Sequence, residues 1–221
     1  AVLEYLTREG EPEYDRIVCL GDILTGHGGN QKVIELLDKY QVELVQGNHD
    51  AKFIPWDMIA ERHLPLLRCM AQWEEEEIDP EIRDRLDALP LTLSIPLEDG
   101  RTLLAFHSNP HDLWGMVNGD DVPEEMMHAV FGNLSGDVLV YGHYHKNHVM
   151  EWNGKLLVNP GSVSATVSFY PDMFARVTTM LSLPDRLLVR QEMVEYDVEA
   201  QTAMDKATNA PFWQFRDFVR K

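Results

Sequence analysis

Val138-Leu139-Val140-Tyr141-Gly142-His143-Tyr144-His145, residues 138–145, is a short apolar run that ends in a glycine and two imidazoles. A continuous β-branched and aliphatic run of this length suits a strand covered on both faces, as in α/β proteins. The same arrangement recurs along the chain. Ile17-Val18-Cys19-Leu20 runs into Gly21-Asp22, and Val42-Glu43-Leu44-Val45 runs through Gln46 into Gly47-Asn48-His49-Asp50. Leu103-Leu104-Ala105-Phe106 stops at His107, and Leu156-Leu157-Val158 stops at Asn159-Pro160-Gly161-Ser162. In open α/β sheets, sites form beyond the carboxyl ends of the strands. Five such runs with polar ends therefore predict one shared cleft.

Helix signals lie between the strands. Asn30 is expected to cap a helix over Gln31–Tyr40, with Val33, Ile34, Leu36 and Leu37 on one face. Asp79-Pro80 opens a helix ending near Leu89-Pro90, and Pro123 opens Glu124–Phe131. A helix within residues 57–72 is expected to be interrupted by Pro65, and residues 1–8 read as an amphipathic helix. Three antiparallel pairs follow: 91–95 with 101–106, 148–152 with 155–158 across Asn153-Gly154, and 175–181 with 186–196. Helical layers outside and more than one sheet inside are the expected architecture. No long linker, low-complexity tract or repeat divides the chain, so residues 1–221 are expected to form a single domain.

Composition narrows the function classes. In 221 residues, 37 acidic against 19 basic side chains give a formal charge of -18. Such a surface repels nucleic-acid backbones and anionic lipid, although a bound dication reverses the field around it. No non-specific nucleic acid and no membrane are expected as partners. Apolar runs fall far short of the roughly 20 residues of a membrane span. The two cysteines, Cys19 and Cys69, form no Cys-x-x-Cys pattern, which favours free thiols and a cytoplasmic location. Ser162 lacks a Gly-x-Ser-x-Gly elbow, and Gly26-x-Gly28 lacks dinucleotide or P-loop spacing.

Asp22, Asn48, His107, His143 and His145 supply a carboxylate, an amide oxygen and three imidazoles at strand ends. This donor set suits Mn, Fe, Co, Ni or Zn better than Ca or Mg. A strand-end Asp can bridge two ions, and glycines at 21, 47 and 142 let the backbone turn beside a ligand.

Gly-Asp, Gly-Asn-His-Asp, a strand-end His and Gly-His-x-His occur in that order, and the set resembles the calcineurin-like metallophosphoesterase superfamily, particularly its small single-domain bacterial and archaeal phosphoesterases. The resemblance runs from Ile17 to about Asp197 and includes Asn159-Pro160-Gly161-Ser162 and Val194-Glu195-Tyr196-Asp197. It implies a four-layer α/β/β/α sandwich with two mixed sheets and a centre of two divalent transition metal ions. Hydrolysis of phosphodiester or phosphomonoester bonds through a metal-bound hydroxide follows from it, with a small phosphate ester as substrate. By resemblance, Asp22 is the bridging carboxylate and Asn48, His107 and His143 are ligands of the second metal, while His145 is a ligand of the first. His49 is similar to the family's non-ligand histidine that contacts phosphate and protonates the leaving oxygen, with Asp50 orienting its ring.

The family opens with Asp-x-His after a first strand, expected roughly 15–20 residues before Asp22. Residues 1–16 contain no match. The expectation is a sequence lacking that strand and two ligands of the first metal, whose site would keep only Asp22 and His145. The competing reading is a non-catalytic scaffold for protein–protein interaction, as the superfamily's retromer subunit is thought to be.

Other residues carry open readings. His27, in a glycine-rich turn, either touches substrate or is an exposed loop residue; His111 and Trp114 lie on the stretch that follows His107 and either shape the substrate pocket or pack. His63, His128 and His148 read as structural or surface residues, and Glu74–Glu77 as a solvated charge run. Phe212, Trp213, Phe215 and Phe218 predict a C-terminal helix docked on its own domain or on a partner.

Overall fold

Side-chain alternation in the central strands sets the layers of this protein. The structure is a computed structural model and describes residues 1–9, 14–115, 122–164 and 174–215. Along the chain come α1 (Val2–Leu6), β1 (Val18–Cys19), α2 (Asn30–Lys39), β2 (Glu43–Leu44), α3 (Leu64–Glu77), α4 (Pro80–Asp87), β3 (Thr92–Pro96) and β4 (Thr102–Phe106). There follow α5 (Glu124–Phe131), β5 (Val138–Tyr141), β6 (His148–Trp152), β7 (Lys155–Asn159), β8 (Ala175–Leu183), β9 (Arg186–Val194), α6 (Val198–Ala207) and α7 (Pro211–Gln214).

A mixed sheet of five strands has the order β3-β4-β5-β7-β6. Its inner pairs are parallel and its outer pairs antiparallel. Alternate residues go to opposite faces of a strand. Phe106, Leu139, Tyr141 and Leu157 therefore pack with Met127 and Phe131 of α5, while Leu103, Ala105, Val138, Val140 and Val158 face the other way. The second face meets Val18 and Leu20 of the β1 segment and Met180, Leu187 and Val189 of the β8–β9 hairpin. Outside β1 and β2 lie Ile34, Leu37, Ile82 and Leu86 of α2 and α4, and outside the hairpin lies α1 through Leu6. The result is the α/β/β/α order of layers. Its second β layer consists of two separate ladders, parallel β1–β2 and antiparallel β8–β9.

Parallel pairing is what gathers the site. β1 and β2 run the same way, as do β4, β5 and β7, so the polar segments after each strand emerge at common ends.

Three local expectations are corrected. Asn30 does not cap α2: Gly29 occupies the cap in a left-handed conformation (φ 94°), and Asn30 is the buried first residue of the helix. Pro65 does not interrupt a helix but sits in the first turn of α3, where its missing N–H has no partner to lose. The Glu74–Glu77 run ends α3, and Glu74 is only 3% exposed, with Arg83 of α4 lying 3.5 Å from its carboxyl group. At the C-terminus, Phe212 docks on the chain itself, its ring stacked on His27 with centroids 4.4 Å apart; Phe218 lies outside the described residues. Both cysteines are free. Among the described residues, no helix is long and apolar enough to cross a membrane.

Candidate metal centre

The turns after β1 and β2 touch at two glycines. A Cβ on Gly21 (φ 88°) would lie 2.4 Å from the Gly47 nitrogen, and one on Gly47 would lie 2.1 Å from the Asp22 nitrogen. Neither position has room for a side chain, and the contact fixes Asp22 against the Asn48 segment. Asp22, His143 and His145 all have left-handed backbones, with φ of 55°, 62° and 59°. Non-glycine residues pay about 1–3 kcal/mol for such conformations and keep them only where the surroundings impose them.

Asp50 imposes the first. Its buried carboxylate accepts the N–H groups of Asp22 and Gly47 on Oδ2 (2.8 and 2.9 Å) and those of Ile23 and Leu24 on Oδ1 (2.8 and 3.2 Å). Burial and the neighbouring Asp22 push this carboxyl up, while the backbone donors pull it down. Two N–H donors on each oxygen are the geometry of an ionised group, because a protonated oxygen would meet donors with a donor. The described bonds of Asp50 run to the backbone, not to the His49 ring that sequence reading expected it to orient.

Four donors converge inside this frame. His107 Nδ1–H donates to the Leu20 carbonyl at 2.6 Å, which fixes the tautomer and leaves a lone pair on Nε2. That Nε2 lies 2.9 Å from Asn48 Oδ1, 3.0 Å from His143 Nδ1 and 3.4 Å from Asp22 Oδ1. Asn48 Oδ1 is also 2.9 Å from His143 Nδ1. The Asp22, His107 and His143 ligand atoms all lie within 4.8 Å of one another. Burial, followed by the neighbouring His107, drives the His143 pKa down to about 3, so its ring is neutral and offers a lone pair. Burial opposes ionisation of Asp22, but His107, His49 and His143 outweigh it and hold the carboxyl low.

Acceptors packed this closely have too few protons to satisfy one another, and His143 Nε2 is buried with no hydrogen-bond partner among the described residues. The donor set therefore fits a divalent cation: one carboxylate, one amide oxygen and two neutral imidazoles.

The other expected residues take different places. His145 stays outside the cluster of mutually close ligand atoms. His49 donates its backbone N–H to Asp22 Oδ1 at 3.0 Å, and its carbonyl accepts from Arg83 at 3.1 Å. Its ring lies 6.1 Å from that of Trp114. His27 is neither a free loop residue nor part of the cluster: Nδ1 meets Asp205 Oδ2 of α6 at 2.8 Å. His111 is exposed on a cleft that it lines with Trp114.

Sequence reading missed three supports of the site. Asn159 ties the strand ends together, its Nδ2 donating to the Gly142 carbonyl (3.0 Å) and its Oδ1 accepting from Gly161 N–H (2.9 Å). The Asn-Pro-Gly stretch after an apolar strand was the available signal. Asp205 holds the turn after Asp22, and nothing in its helical context marks it. Glu74 and Arg83 brace the His49 carbonyl from α3 and α4.

Glu74 also has a measurable signature. Burial pushes its carboxyl from 4.5 up to about 8, with Arg83 pulling the other way, and Oε1 is buried without a hydrogen-bond partner among the described residues. The folded group keeps its proton across about pH 4.5–8 while the unfolded group loses it. Its contribution to stability is therefore complete below pH 4.5 and fades as pH rises through 8, by about 1.4 kcal/mol per unit at most. Glu74→Gln is expected to remove that slope. Urea unfolding of the metal-free protein at several pH values checks this, and parallel wild-type and variant profiles would refute it.

A four-layer α/β/β/α sandwich that gathers histidine, aspartate and asparagine donors at its strand ends carries a candidate metal centre. The chain belongs to the calcineurin-like phosphoesterase superfamily, whose domain matches residues 2–180. An uncharacterized protein of Methanocaldococcus jannaschii is 28% identical over 155 residues, which is 67% of this chain; the chain spans 58% of that relative's length. A hypothetical protein from Pyrococcus horikoshii shares the fold with a TM-score of 0.73 at 19% identity, over 99% of this chain and 88% of that one. A metallophosphoesterase from Sphaerobacter thermophilus does so with a TM-score of 0.67 at 19% identity, over 95% and 89%. At such identities the two structures speak to fold alone.

Proposed function

We propose that this chain is a divalent-metal-dependent phosphoesterase that hydrolyses phosphodiester or phosphomonoester bonds at a dinuclear centre. The observation that carries the reading is the convergence of Asp22, Asn48, His107 and His143, whose polar atoms are crowded with too few protons to satisfy one another. Family membership supports it.

Asp22, Asn48, His107 and His143 would hold one ion, and Asp22 with His145 would contribute to a second. Bound dications supply neutralisation of phosphate charge and acidification of a water molecule. The chain's own residues do the rest. His107 is pinned by Leu20, so its lone pair needs no reorientation when a ligand arrives. His49 is tethered through both its backbone N–H and its carbonyl, which places its imidazole at the rim beside Trp114. From there it would hold or deliver a proton at the leaving oxygen of the ester. Asp50 keeps the Asp22 and Gly47 turns in register and thereby sets the distance between donors from different strands.

Purified protein assayed on aryl phosphate monoesters and diesters is expected to show hydrolysis stimulated by Mn or Ni. Asn48→Ala and His107→Ala are each expected to lower it by about tenfold or more through weakened metal binding. No metal-stimulated hydrolysis, together with variants that bind metal as wild type does, would overturn the reading and leave the scaffold alternative.

A further inference from the structure

α4 grips the segment that carries His49. Gln46 Nε2 donates to the Asp87 carbonyl at 2.6 Å, Lys52 N–H donates to Asp87 Oδ1 at 2.7 Å, and Lys52 Nζ pairs with Asp84. These contacts hold the two ends of the segment. Arg83 reaches its middle and donates from Nη1 to the His49 carbonyl at 3.1 Å. We propose that Arg83 is a positioning residue for proton delivery to the leaving oxygen, acting through the His49 carbonyl to set the direction of the His49 imidazole. The proposal rests on the phosphoesterase reading and adds to it a residue outside the donor cluster.

Backbone geometry makes the link. Peptide units are planar, so a side chain's exit direction is set once the units on both sides of its Cα are held. For His49, Asp22 Oδ1 takes the N–H on one side at 3.0 Å, and Arg83 holds the carbonyl on the other. The peptide that contains this carbonyl is also bonded through the Asp50 N–H to the Gly47 carbonyl at 3.2 Å. That bond joins two neutral groups, whereas a bond from a guanidinium is charge-assisted and roughly twice as strong. With both sides fixed, the ring keeps only its side-chain torsions, and the first of these is confined to staggered wells. The Trp114 ring, 6.1 Å away and tilted by 59°, borders the space that remains.

The guanidinium is itself anchored. Its side chain is 15% exposed, and Nη1 lies 3.5 Å from Glu74 Oε2, so Arg83 is lodged between α3 and α4. A rigid planar fork of donors suits a group that must hold a main-chain oxygen beside a second partner. Proton delivery needs an approach of about 2.6–3.2 Å between heavy atoms. A misplacement of about 1 Å by a residue away from the chemistry can cost about 100-fold in rate.

The test uses the metal-loaded full chain and a phosphate ester with an alkoxide leaving group. Arg83→Met keeps the apolar stem and removes every donor; it is expected to lower kcat about 10–100-fold with KM and metal content unchanged. Arg83→Lys, which keeps a cationic donor, is expected to restore most of the loss. Asp84→Ala, which removes only the exposed pair at Lys52, is expected to leave kcat within about twofold. In a His49→Ala background, Arg83→Met is expected to cost less than about twofold, because a residue that acts through the imidazole then has nothing to position. Proton NMR of the Zn-loaded protein reads the ring itself. The His49 Cε1–H signal, assigned by its absence from His49→Ala, is expected to move toward that of free histidine in Arg83→Met as the ring leaves Trp114. Should the methionine variant fail to fold, Arg83→Gln, whose shorter side chain stops short of the carbonyl, repeats both measurements. A full loss in the His49→Ala background, a fall in metal content that matches the fall in kcat, or an unmoved His49 signal would overturn the proposal. A protein that hydrolyses no ester would remove the phosphoesterase reading, and the His49 signal would then decide alone whether Arg83 holds the ring.

Discussion

Asp50→Asn is expected to lower the free energy of unfolding by about 2–6 kcal/mol and to weaken metal binding about 10–100-fold. The substitution preserves size, so the effect is one of hydrogen-bond polarity. Each carboxylate oxygen of Asp50 accepts two backbone N–H groups, from Asp22 and Gly47 on one side and Ile23 and Leu24 on the other. An amide presents only one oxygen. Whichever way it turns, its NH₂ faces two buried N–H groups, and each buried donor left unpaired costs about 1–3 kcal/mol. The loss falls on the turn that carries Asp22 in a left-handed conformation and on the turn that leads to Asn48, so the donor geometry loosens along with the fold. Urea unfolding and metal titration measure the two effects. A stability change below 1 kcal/mol would show that the four donors find other partners.

His49→Ala is expected to reduce kcat by about 10²–10⁴-fold while leaving metal content unchanged. The His49 tethers are both backbone bonds, to Asp22 and from Arg83, and alanine keeps them. What disappears is the imidazole at the rim. If that ring delivers a proton to the leaving oxygen, the deficit depends on the leaving group: small for a nitrophenolate, which departs unaided, and large for an alkoxide. A set of esters with graded leaving groups reads this directly. A uniform loss across the series would assign His49 to phosphate binding instead, and a loss under tenfold would remove it from the chemistry.

Much of this arrangement was legible in the residues, and the boundary of legibility has a physical cause. Strand-end donors stand out because a buried apolar run makes the next polar residue conspicuous; Asp22, Asn48, His107 and His143 are legible that way and lie together. Hairpins 92–106, 148–159 and 175–194 were legible because turn residues punctuate alternating strands. Long-range partners of ordinary polar residues were not. Glu74 sits in a run of four carboxylates, and only the packing of α3 against Arg83 distinguishes it from its solvated neighbours. Asp50 was noticed for its place beside His49, but its four bonds depend on how two turns approach each other in space. His27 reads from the sequence either as a substrate contact or as an exposed loop residue, because its partners, Asp205 and Phe212, lie on helices far along the chain.

That last contact sets a constraint on synthesis. Asp205 follows His27 by 178 positions and also accepts the Gly28 N–H at 2.8 Å. The turn directly after Asp22 therefore receives its hydrogen-bond partner only when α6 has left the ribosome. At about 5–20 residues per second, a nascent chain waits on the order of 10–40 s between making this turn and closing it. Throughout that interval the glycine-rich segment lacks its Asp205 bonds, and the apolar ring of Phe212 has yet to arrive.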